Sequence, residues 1–366
     1  MRISRIEPIP IQIPLKAPFT TAKARQTVAR VVLIKLQTDK GIIGIGECDP
    51  RPHITGETIG SALIAIRDYL APALASFELS EISDIAKICD RMDEVLVSNP
   101  SAKDGIDIAV HDALGKAKGI PAYSLLGPKE RGVVTSCGFS DLGNLADAEK
   151  DARAYRELEG NAFKIKVGPN WDTDIKRIQA VRSILGSSID LIVDPNQAWS
   201  VEQSIRILKN FGNQFAVCEQ PVPWNDIDGL TRISAAVDVP VMADEAVWSP
   251  NDAAVLTQLK GADMVNIKHI KSGGLHRALE IAQILGKEDI SCMIGSTTET
   301  GISSAASAHL SLVCPHLKYF DVAPPTHYIV EDVVEGLDWR GCIVKPNEEP
   351  GLGVRLKEET ARKYAI

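Results

Sequence analysis

From Gly132 onward the sequence alternates between short apolar runs and longer segments with helical spacing. Eight such runs begin 23 to 29 residues apart, which is about the length of a parallel strand with its crossover helix and loops. The runs are VVTSCGF, AFKIKV, IDLIVD, QFAVCE, VPVMAD, ADMVNIK, SCMIG and KYFDV. Eight units of this length predict a TIM-type (β/α) barrel. No Gly-x-Gly-x-x-Gly follows any run, which weakens the doubly wound, dinucleotide-binding alternative.

The sequence before the barrel lacks this alternation, so we expect an α+β capping domain over residues 1–127, followed by the barrel over 128–333. Two β-rich runs flank a predicted turn at Thr38–Gly41, and the polar segment 17–27 between the first two strands is predicted to be a loop. Helical spacing covers 58–118, with a predicted interruption at 99–105. Residues 334–366 are predicted to pack back on the capping domain and complete it.

Three carboxylates each end one of the apolar runs: Asp194, Glu219 and Asp244, spaced 25 and 25 residues apart. Since parallel strands of a barrel point the same way, the three acids should emerge at the same mouth, where barrel enzymes place their chemistry. Lys166 lies on the strand before them and Lys268 on the strand after them.

Three convergent carboxylates repel one another and lose hydration, so they require a cation nearby. An oxygen-only set suits a hard ion, and we therefore expect Mg²⁺, with Mn²⁺ as the alternative. Each residue alone has a simpler explanation, because a strand-end acid is often a helix N-cap and a strand lysine is usually solvated. The whole set in register on consecutive strands favours a functional site.

This combination indicates a reaction class. A proton next to a carboxylate is very weakly acidic, so its removal needs strong positive charge on the resulting enediolate, which Mg²⁺ supplies. A lysine can act as the base if nearby cations lower its pKa. Lys166 and Lys268, on opposite sides of the metal-bearing strands, could invert a stereocentre.

The sequence resembles the muconate-lactonizing (mandelate racemase/muconate lactonizing enzyme) branch of the enolase superfamily over essentially its whole length. The resemblance lies in KIK at 164–166, DPNQAW at 194–199, EQP at 219–221, ADE at 243–245 and NIKHIKSGG at 266–274. It implies Mg²⁺ ligation by the three acids, paired acid/base roles for Lys166 and Lys268, and a cation at Lys164 beside the substrate carboxylate. It also implies that Asn196 and Glu245 support the ligands.

Within that branch the segments PFTTAKARQT and PHITGET look most like the lid and cap loops of dipeptide epimerases. The substrate contacts implied by this resemblance are Phe19, Lys23, Arg25, Ile54, Thr135, Ser296, Thr298 and Asp321. Glu299 is expected to support the site or to have a plain structural role. Two departures are notable: Ala24 stands where a lid arginine is expected, and Ala323 stands where a second acid would follow Asp321.

Composition excludes several other function classes. A net charge of −8 argues against nucleic acid and anionic membranes as partners, and no apolar run approaches a membrane span. The N-terminus shows no signal-peptide core, and the seven scattered cysteines favour buried thiols over zinc sites or disulfides. We therefore expect a cytoplasmic protein, a homo-oligomer, that acts on a small-molecule carboxylate.

The leading hypothesis is a Mg²⁺-dependent racemase or epimerase of an amino-acid derivative or dipeptide. A cycloisomerase or β-eliminating dehydratase would use the same half-reaction and the same residues. A Schiff-base aldolase with one buried lysine is a different chemistry. A non-catalytic barrel would have no need for so many charges at one mouth.

Overall fold

The computed structural model describes residues 1–158 and 160–366. The chain begins with an antiparallel sheet in the order β1-β2-β3, formed by β1 (Ile3–Thr20), β2 (Arg25–Thr38) and β3 (Ile43–Cys48). The predicted turn at Thr38–Gly41 is confirmed: the Gly41 amide donates to the Thr38 carbonyl over 3.0 Å, and Gly41 has the left-handed φ of 76° that glycine tolerates.

The prediction of a loop over 17–27 is wrong for most of its length. The β1–β2 ladder continues outward until Phe19 faces Gln26 and Thr20 faces Arg25. Only the tip from Thr21 to Ala24 turns, closed by the Thr21 amide bonded to the Ala24 carbonyl. Local polarity suggested a loop, but backbone pairing with a neighbouring strand overrides weak strand propensity.

Helices cover one face of this sheet: α1 (Ile59–Ile64), α2 (Ala71–Leu74), α3 (Ile82–Val95), α4 (Pro100–Lys118) and α5 (Tyr123–Leu126), with a π-helical turn over Ala65–Leu70. The predicted interruption at 99–105 is wrong beyond its first residue, because Pro100 starts α4. Proline is well suited to the first helical turn, where its missing N–H costs nothing. The helix packs so closely on β3 that a Cβ at Gly44 would lie 2.1 Å from the Ala109 carbonyl oxygen.

After a short strand β4 (Val134–Thr135), eight parallel strands follow in the order of the chain, as predicted. They are β5 (Gly138–Ser140), β6 (Ala162–Lys166), β7 (Asp190–Asp194), β8 (Val217–Glu219), β9 (Val241–Ala243), β10 (Met264–Ile267), β11 (Ser291–Gly295) and β12 (Leu317–Asp321). The sheet closes through one bridge between Ser136 and Phe320. The expected barrel with its N-terminal cap is confirmed.

The connecting helices surround the barrel: α6 (Leu145–Arg156), α7 (Trp171–Leu185), α8 (Val201–Phe211), α9 (Ile227–Ala236), α10 (Pro250–Leu259), α11 (His269–Ser272), α12 (Leu275–Lys287) and α13 (Gly301–Val313). Buried side chains of the strands fill the barrel interior below the mouth, among them Met242, Met264 and Met293. This packed interior leaves only the carboxyl ends of the strands open for a site.

The C-terminal residues contact both units. They form β13 (Val334–Glu335), β14 (Asp338–Arg340), β15 (Ile343–Lys345), β16 (Arg355–Leu356) and α14 (Glu358–Lys363). β15 pairs with β4 beside the barrel, while Ala365 bridges to Ile11 of β1 and the Ala122 amide bonds to the Gly351 carbonyl. The tail therefore fastens the capping domain to the barrel.

All seven cysteines are free and buried, as the sequence predicted. No helix within residues 1–158 and 160–366 is both long and apolar enough to cross a bilayer.

Candidate active site

The three acids lie at the carboxyl ends of neighbouring strands. Asp194 is the last residue of β7, Glu219 the last of β8, and Asp244 follows the last residue of β9. None of the three side chains is accessible to solvent. Parallel pairing of these strands explains why residues 25 positions apart converge.

Each acid is paired with a lysine. Nζ of Lys166 lies 2.5 Å from Asp194 Oδ2, and Nζ of Lys268 lies 2.5 Å from Asp244 Oδ2. Lys164 bridges two strands, with Nζ 2.7 Å from Glu219 Oε2 and 2.5 Å from Asp321 Oδ2. The lysines therefore line the rim of the acid set on both sides.

Burial and repulsion perturb these groups strongly. Burial, with the nearby charge of Asp194, raises the pKa of Glu219 to about 8. Burial also raises the pKa of Glu245 to about 7, with Asp244 adding to the effect. For Asp244 burial acts in the same direction, but the charges of Lys268 and Lys271 outweigh it and hold its pKa below the usual value.

The same pairing acts on the lysines. Burial disfavours the charged form of Lys268, yet Asp244, Glu245 and Glu219 outweigh burial and raise its pKa. The expected lowering of a lysine pKa therefore does not hold while the acids carry their full charge beside it. Lys268 can serve as a base only when a cation offsets that charge.

The site fits a hard cation. The buried oxygens Asn196 Oδ1 and Glu245 Oε2 lack a hydrogen-bond partner, while Glu219 Oε2 and Asp244 Oδ1 contact lysine ammonium groups, 2.7 Å from Lys164 and 3.5 Å from Lys271. Carboxylate and amide oxygens are the donors that Mg²⁺ prefers. Among the described residues no three acidic, histidine or cysteine side chains form a group that could hold a metal ion, and each of the three acids is paired with a lysine instead. Ion binding would thus require the carboxylates to exchange lysine partners for the metal.

Residues that the sequence did not single out orient the acids. Asn266 Nδ2 donates to Glu219 Oε1 over 2.7 Å, and Gln220 Oε1 accepts from the Asp244 amide over 2.8 Å. Gln220 has a φ of 35° and Asn196 one of 44°, both in the left-handed region. Strained backbone of this kind clusters at functional sites. Both Asn266 and Gln220 lie inside the motifs NIK and EQP, so the signal was present.

Above the acids lies a cavity of about 100 Å³. Eleven predicted site residues line it: Phe19, Lys23, Ile54, Lys164, Lys166, Asn196, Glu245, Lys268, Ser296, Thr298 and Asp321. The cavity thus gathers residues from the β1–β2 hairpin tip, the cap loop after β3 and six barrel strand ends.

Two predicted substrate contacts lie elsewhere. Thr135 faces Ile343 in the β4–β15 pair, because the first barrel strand begins only at Gly138, and Phe139 of that strand lines the cavity instead. Arg25 lies on the outer side of the hairpin, where the extended ladder turns its side chain away from the cavity.

Arg51 is a cavity residue that the sequence analysis missed. Its Nε lies 2.8 Å from Asp49 Oδ1, its Nη1 donates to Gln26 Oε1 over 2.6 Å, and its Nη2 donates to Thr298 Oγ1 over 2.7 Å. The guanidinium therefore joins the cap loop, the hairpin and the loop after β11. The buried carboxylate of Asp49 also accepts from the Thr297 hydroxyl.

His269, the neighbour of Lys268 in the sequence, is buried and does not line the cavity. Its Nδ1 lies 2.8 Å from Asp104 Oδ1 on α4 and its Nε2 3.0 Å from Ser307 Oγ on α13. Asp104 outweighs burial and raises the pKa of His269 to about 9. Glu299 also lies behind the cavity wall, where it accepts from the Ser304 hydroxyl. His269 joins the capping domain to the barrel.

Two family models match the chain. Residues 6–127 match the mandelate racemase / muconate lactonizing enzyme N-terminal domain, and residues 147–360 match the enolase C-terminal domain-like model.

Individual relatives cover nearly the whole chain. An L-Ala-D/L-Glu epimerase of Clostridium acetobutylicum is 33% identical, over 94% of this chain and 96% of its own length. The crystal structure of an N-succinyl Arg/Lys racemase from Bacillus cereus is 30% identical, covers 100% of this chain and 98% of its own, and superposes with a TM-score of 0.95.

A dipeptide epimerase from Enterococcus faecalis, solved with Mg and the dipeptide L-Leu-L-Tyr, is 32% identical. It covers 97% of this chain and 99% of its own, with a TM-score of 0.91. The resemblance inferred from the motifs is confirmed, and the chain belongs to the mandelate racemase/muconate lactonizing enzyme branch of the enolase superfamily.

Proposed function

We propose that the protein is a Mg²⁺-dependent racemase or epimerase that removes and returns the proton α to the carboxylate of an amino-acid derivative or dipeptide. Membership of the family makes the chain an isomerase of the racemase and epimerase kind. The observation that carries the finer proposal is the placement of Lys166 and Lys268 on opposite sides of one buried acid set.

Asp194, Glu219 and Asp244 would hold the ion. Their burial, the raised pKa of Glu219 and the unpartnered oxygens beside them support this assignment. Relatives from Enterococcus faecalis and Cytophaga hutchinsonii were solved with Mg. The ion would supply the positive charge that makes the α-proton of a carboxylate acidic enough to remove.

The chain's own residues would move the proton. β6, which carries Lys166, and β10, which precedes Lys268, lie four strands apart in the eight-stranded sheet, so the two Nζ atoms face each other across the mouth. One lysine, neutral, takes the α-proton onto Nζ, while the other, protonated, returns a proton to the opposite face. The roles reverse for the mirror-image substrate.

Lys164 would orient the substrate. The charges of Asp321 and Glu219 outweigh burial and raise the pKa of the Lys164 side chain, which favours its charged form. A substrate carboxylate beside it gains a charge-assisted hydrogen bond. Ser296 and Thr298 also line the cavity, where they can contact the rest of the molecule.

A D₂O experiment tests the proposal. Incubation with dipeptides and N-acyl amino acids in D₂O and Mg²⁺ should place deuterium at the α-carbon, with both stereoisomers appearing. Absence of exchange with every member of such a library would overturn the proposal. A cycloisomerase or dehydratase would instead yield a product with a changed carbon skeleton or a lost leaving group, which mass spectrometry detects.

A further inference from the structure

A second, larger cavity of about 640 Å³ adjoins the candidate active site. It opens between the β1–β2 hairpin tip, α6 and the loop after β12. Four residues line both cavities: Phe19, Phe139, Ala323 and Tyr328. The rings of Phe19 and Phe139 meet edge to face, with centroids 5.9 Å apart, at this shared wall. We call the larger cavity the side cleft.

The side cleft lies where the barrel wall is weakest. Every other neighbouring pair of barrel strands is joined by a ladder, whereas the backbone contacts between β12 and the segment leading into β5 are the Ser136–Phe320 bridge and the Cys137 amide bonded to the Phe320 carbonyl. Both contacts lie below the level of Ala323. At the mouth, side chains alone separate the active site from the cleft.

The groups at this wall favour an uncharged occupant. Asp321, the acid at the end of β12, already shares its carboxylate with the Lys164 ammonium over 2.5 Å. Ala323 contributes a methyl group and no second charge. An ammonium placed here would therefore face a compensated acid, whereas an amide N–H could still donate to the remaining carboxylate oxygen lone pairs.

Charges occur only toward the rim of the cleft and oppose one another. Arg25 and Lys150 line the cleft with Asp141, Asp147 and Asp151. Asp151 accepts from the Ser140 hydroxyl over 2.8 Å. Three acids against two basic side chains disfavour an anionic occupant. Near the shared wall the lining is aromatic and aliphatic, which suits apolar groups.

We propose that the side cleft binds the group carried on the substrate nitrogen, and that this group is bulky, apolar and uncharged, such as a medium-chain acyl group in amide linkage. The substrate amide lies at Asp321, and the acyl chain passes Ala323 alongside the contacting rings of Phe19 and Phe139. This inference rests on the function proposed above, and it adds a binding site outside the catalytic cavity.

Affinity measurement tests the cleft separately from turnover. Isothermal titration calorimetry with Mg²⁺ present would compare N-acetyl-, N-butanoyl-, N-hexanoyl- and N-octanoyl-L-methionine. Each methylene buried in the cleft should tighten Kd by up to about fourfold. Ala154→Trp places a ring in the cleft from the exposed face of α6. Ala146→Trp, at another exposed position of the same helix away from the cleft, is the matched control.

The readout is the ratio of the N-acetyl Kd to the N-octanoyl Kd, which damage to the catalytic cavity alone would not alter. We expect the ratio to exceed 10 in the unmodified protein and in Ala146→Trp, and to fall at least fivefold in Ala154→Trp or in Ala323→Leu, which narrows the passage. A ratio near 1 in the unmodified protein, or a ratio unchanged in both cleft variants, overturns the proposal.

Deuterium exchange measured on the same compounds separates the two proposals. A chain-length gain in affinity without exchange at the α-carbon would contradict the proposed function and leave the cleft assignment supported. Exchange at the α-carbon, with Kd values that do not change with chain length, would support the proposed function and contradict the cleft assignment.

Discussion

Lys166 and Lys268 face each other across the barrel mouth, each with Nζ 2.5 Å from a different carboxylate, Asp194 and Asp244. β6, which ends in Lys166, and β10, which is followed by Lys268, are separated by three other strands, so each lysine reaches the site from its own side. Under the proposed function, this placement would give each face of a planar intermediate its own base.

The first prediction concerns these two lysines. Lys166→Ala and Lys268→Ala should each lower net racemisation by about 10²–10⁴, the usual contribution of a positioned acid or base. Each variant should still exchange the α-proton of one stereoisomer in D₂O, and the two variants should prefer opposite isomers. Proton NMR of each isomer in D₂O measures this. Lys318→Ala, at an exposed lysine of β12, is the control. Full racemisation by either active-site variant would rule out the two-base scheme.

The second prediction concerns the ion. Asp194→Asn keeps the shape of the side chain but removes a charged ligand, so Mg²⁺ affinity should fall at least tenfold and turnover should stop. Circular dichroism should show an intact fold. Asp190→Asn, at the other end of β7 where the side chain accepts from the Tyr319 hydroxyl over 2.6 Å, is a matched control. Full activity after EDTA treatment would exclude a metal requirement.

The third prediction concerns the eighth strand. Ala323→Asp supplies a second carboxylate near Asp321, which can bind the free ammonium of a dipeptide such as Ala-Glu. We expect weak activity of the unmodified protein on Ala-Glu and a gain of about 10- to 100-fold in kcat/KM with Ala323→Asp, since a hydrogen bond to a charged group contributes about 1.5–3 kcal/mol. Ala323→Asn, with the same shape and no charge, is the control. A strong preference of the unmodified protein for Ala-Glu over every other candidate would contradict this interpretation of Ala323.

The barrel and the acid set could be predicted because both depend on patterns that the chain repeats. Strand-end positions of Asp194, Glu219 and Asp244 follow from a regular β/α period, and the Lys166 and Lys268 positions follow from the same register. Long-range contacts between side chains follow no repeated spacing in the sequence. Arg51 has no recurring spacing to its partners Gln26 and Thr298, which lie 25 and 247 residues away.

The errors have the same origin. Segment 17–27 is polar, yet it extends a ladder because the neighbouring strand offers hydrogen bonds at every step. The apolar neighbours of Thr135 predict that it belongs to the first barrel strand, but it pairs with the C-terminal strand β15 instead. In both places tertiary pairing decided what local composition could not.

The fourth prediction concerns Arg51. Arg51 is 5% exposed, and its guanidinium forms an ion pair with the fully buried Asp49. Arg51→Met therefore leaves an uncompensated buried charge. We expect a loss of about 3–5 kcal/mol in the free energy of unfolding, measured by urea denaturation. The double variant Arg51→Met with Asp49→Asn removes both charges and should recover part of that loss. Equal stability of the single and double variants would show that the unpaired charge of Asp49 is not what destabilises Arg51→Met.

The fifth prediction concerns His309, which joins α13 to the cap and the tail. Its Nδ1 accepts from the Tyr123 amide over 3.3 Å, and its Nε2 lies 3.1 Å from the Leu352 carbonyl, so the ring is held neutral. Burial lowers its pKa from 6.5 to about 4. The unfolded chain therefore binds the proton first as the pH falls, and stability present above pH 6.5 is lost between 6.5 and 4.

For a shift of this size the loss between pH 7.5 and pH 5 is about 2 kcal/mol from this histidine alone. Other titrating groups cancel when the unmodified protein is compared with His309→Asn, which keeps an acceptor and a donor but cannot take up a proton in this range. Urea denaturation at both pH values should show the unmodified protein losing about 2 kcal/mol more than the variant on acidification. The same pH dependence in both proteins would mean that the folded state accommodates a charged His309.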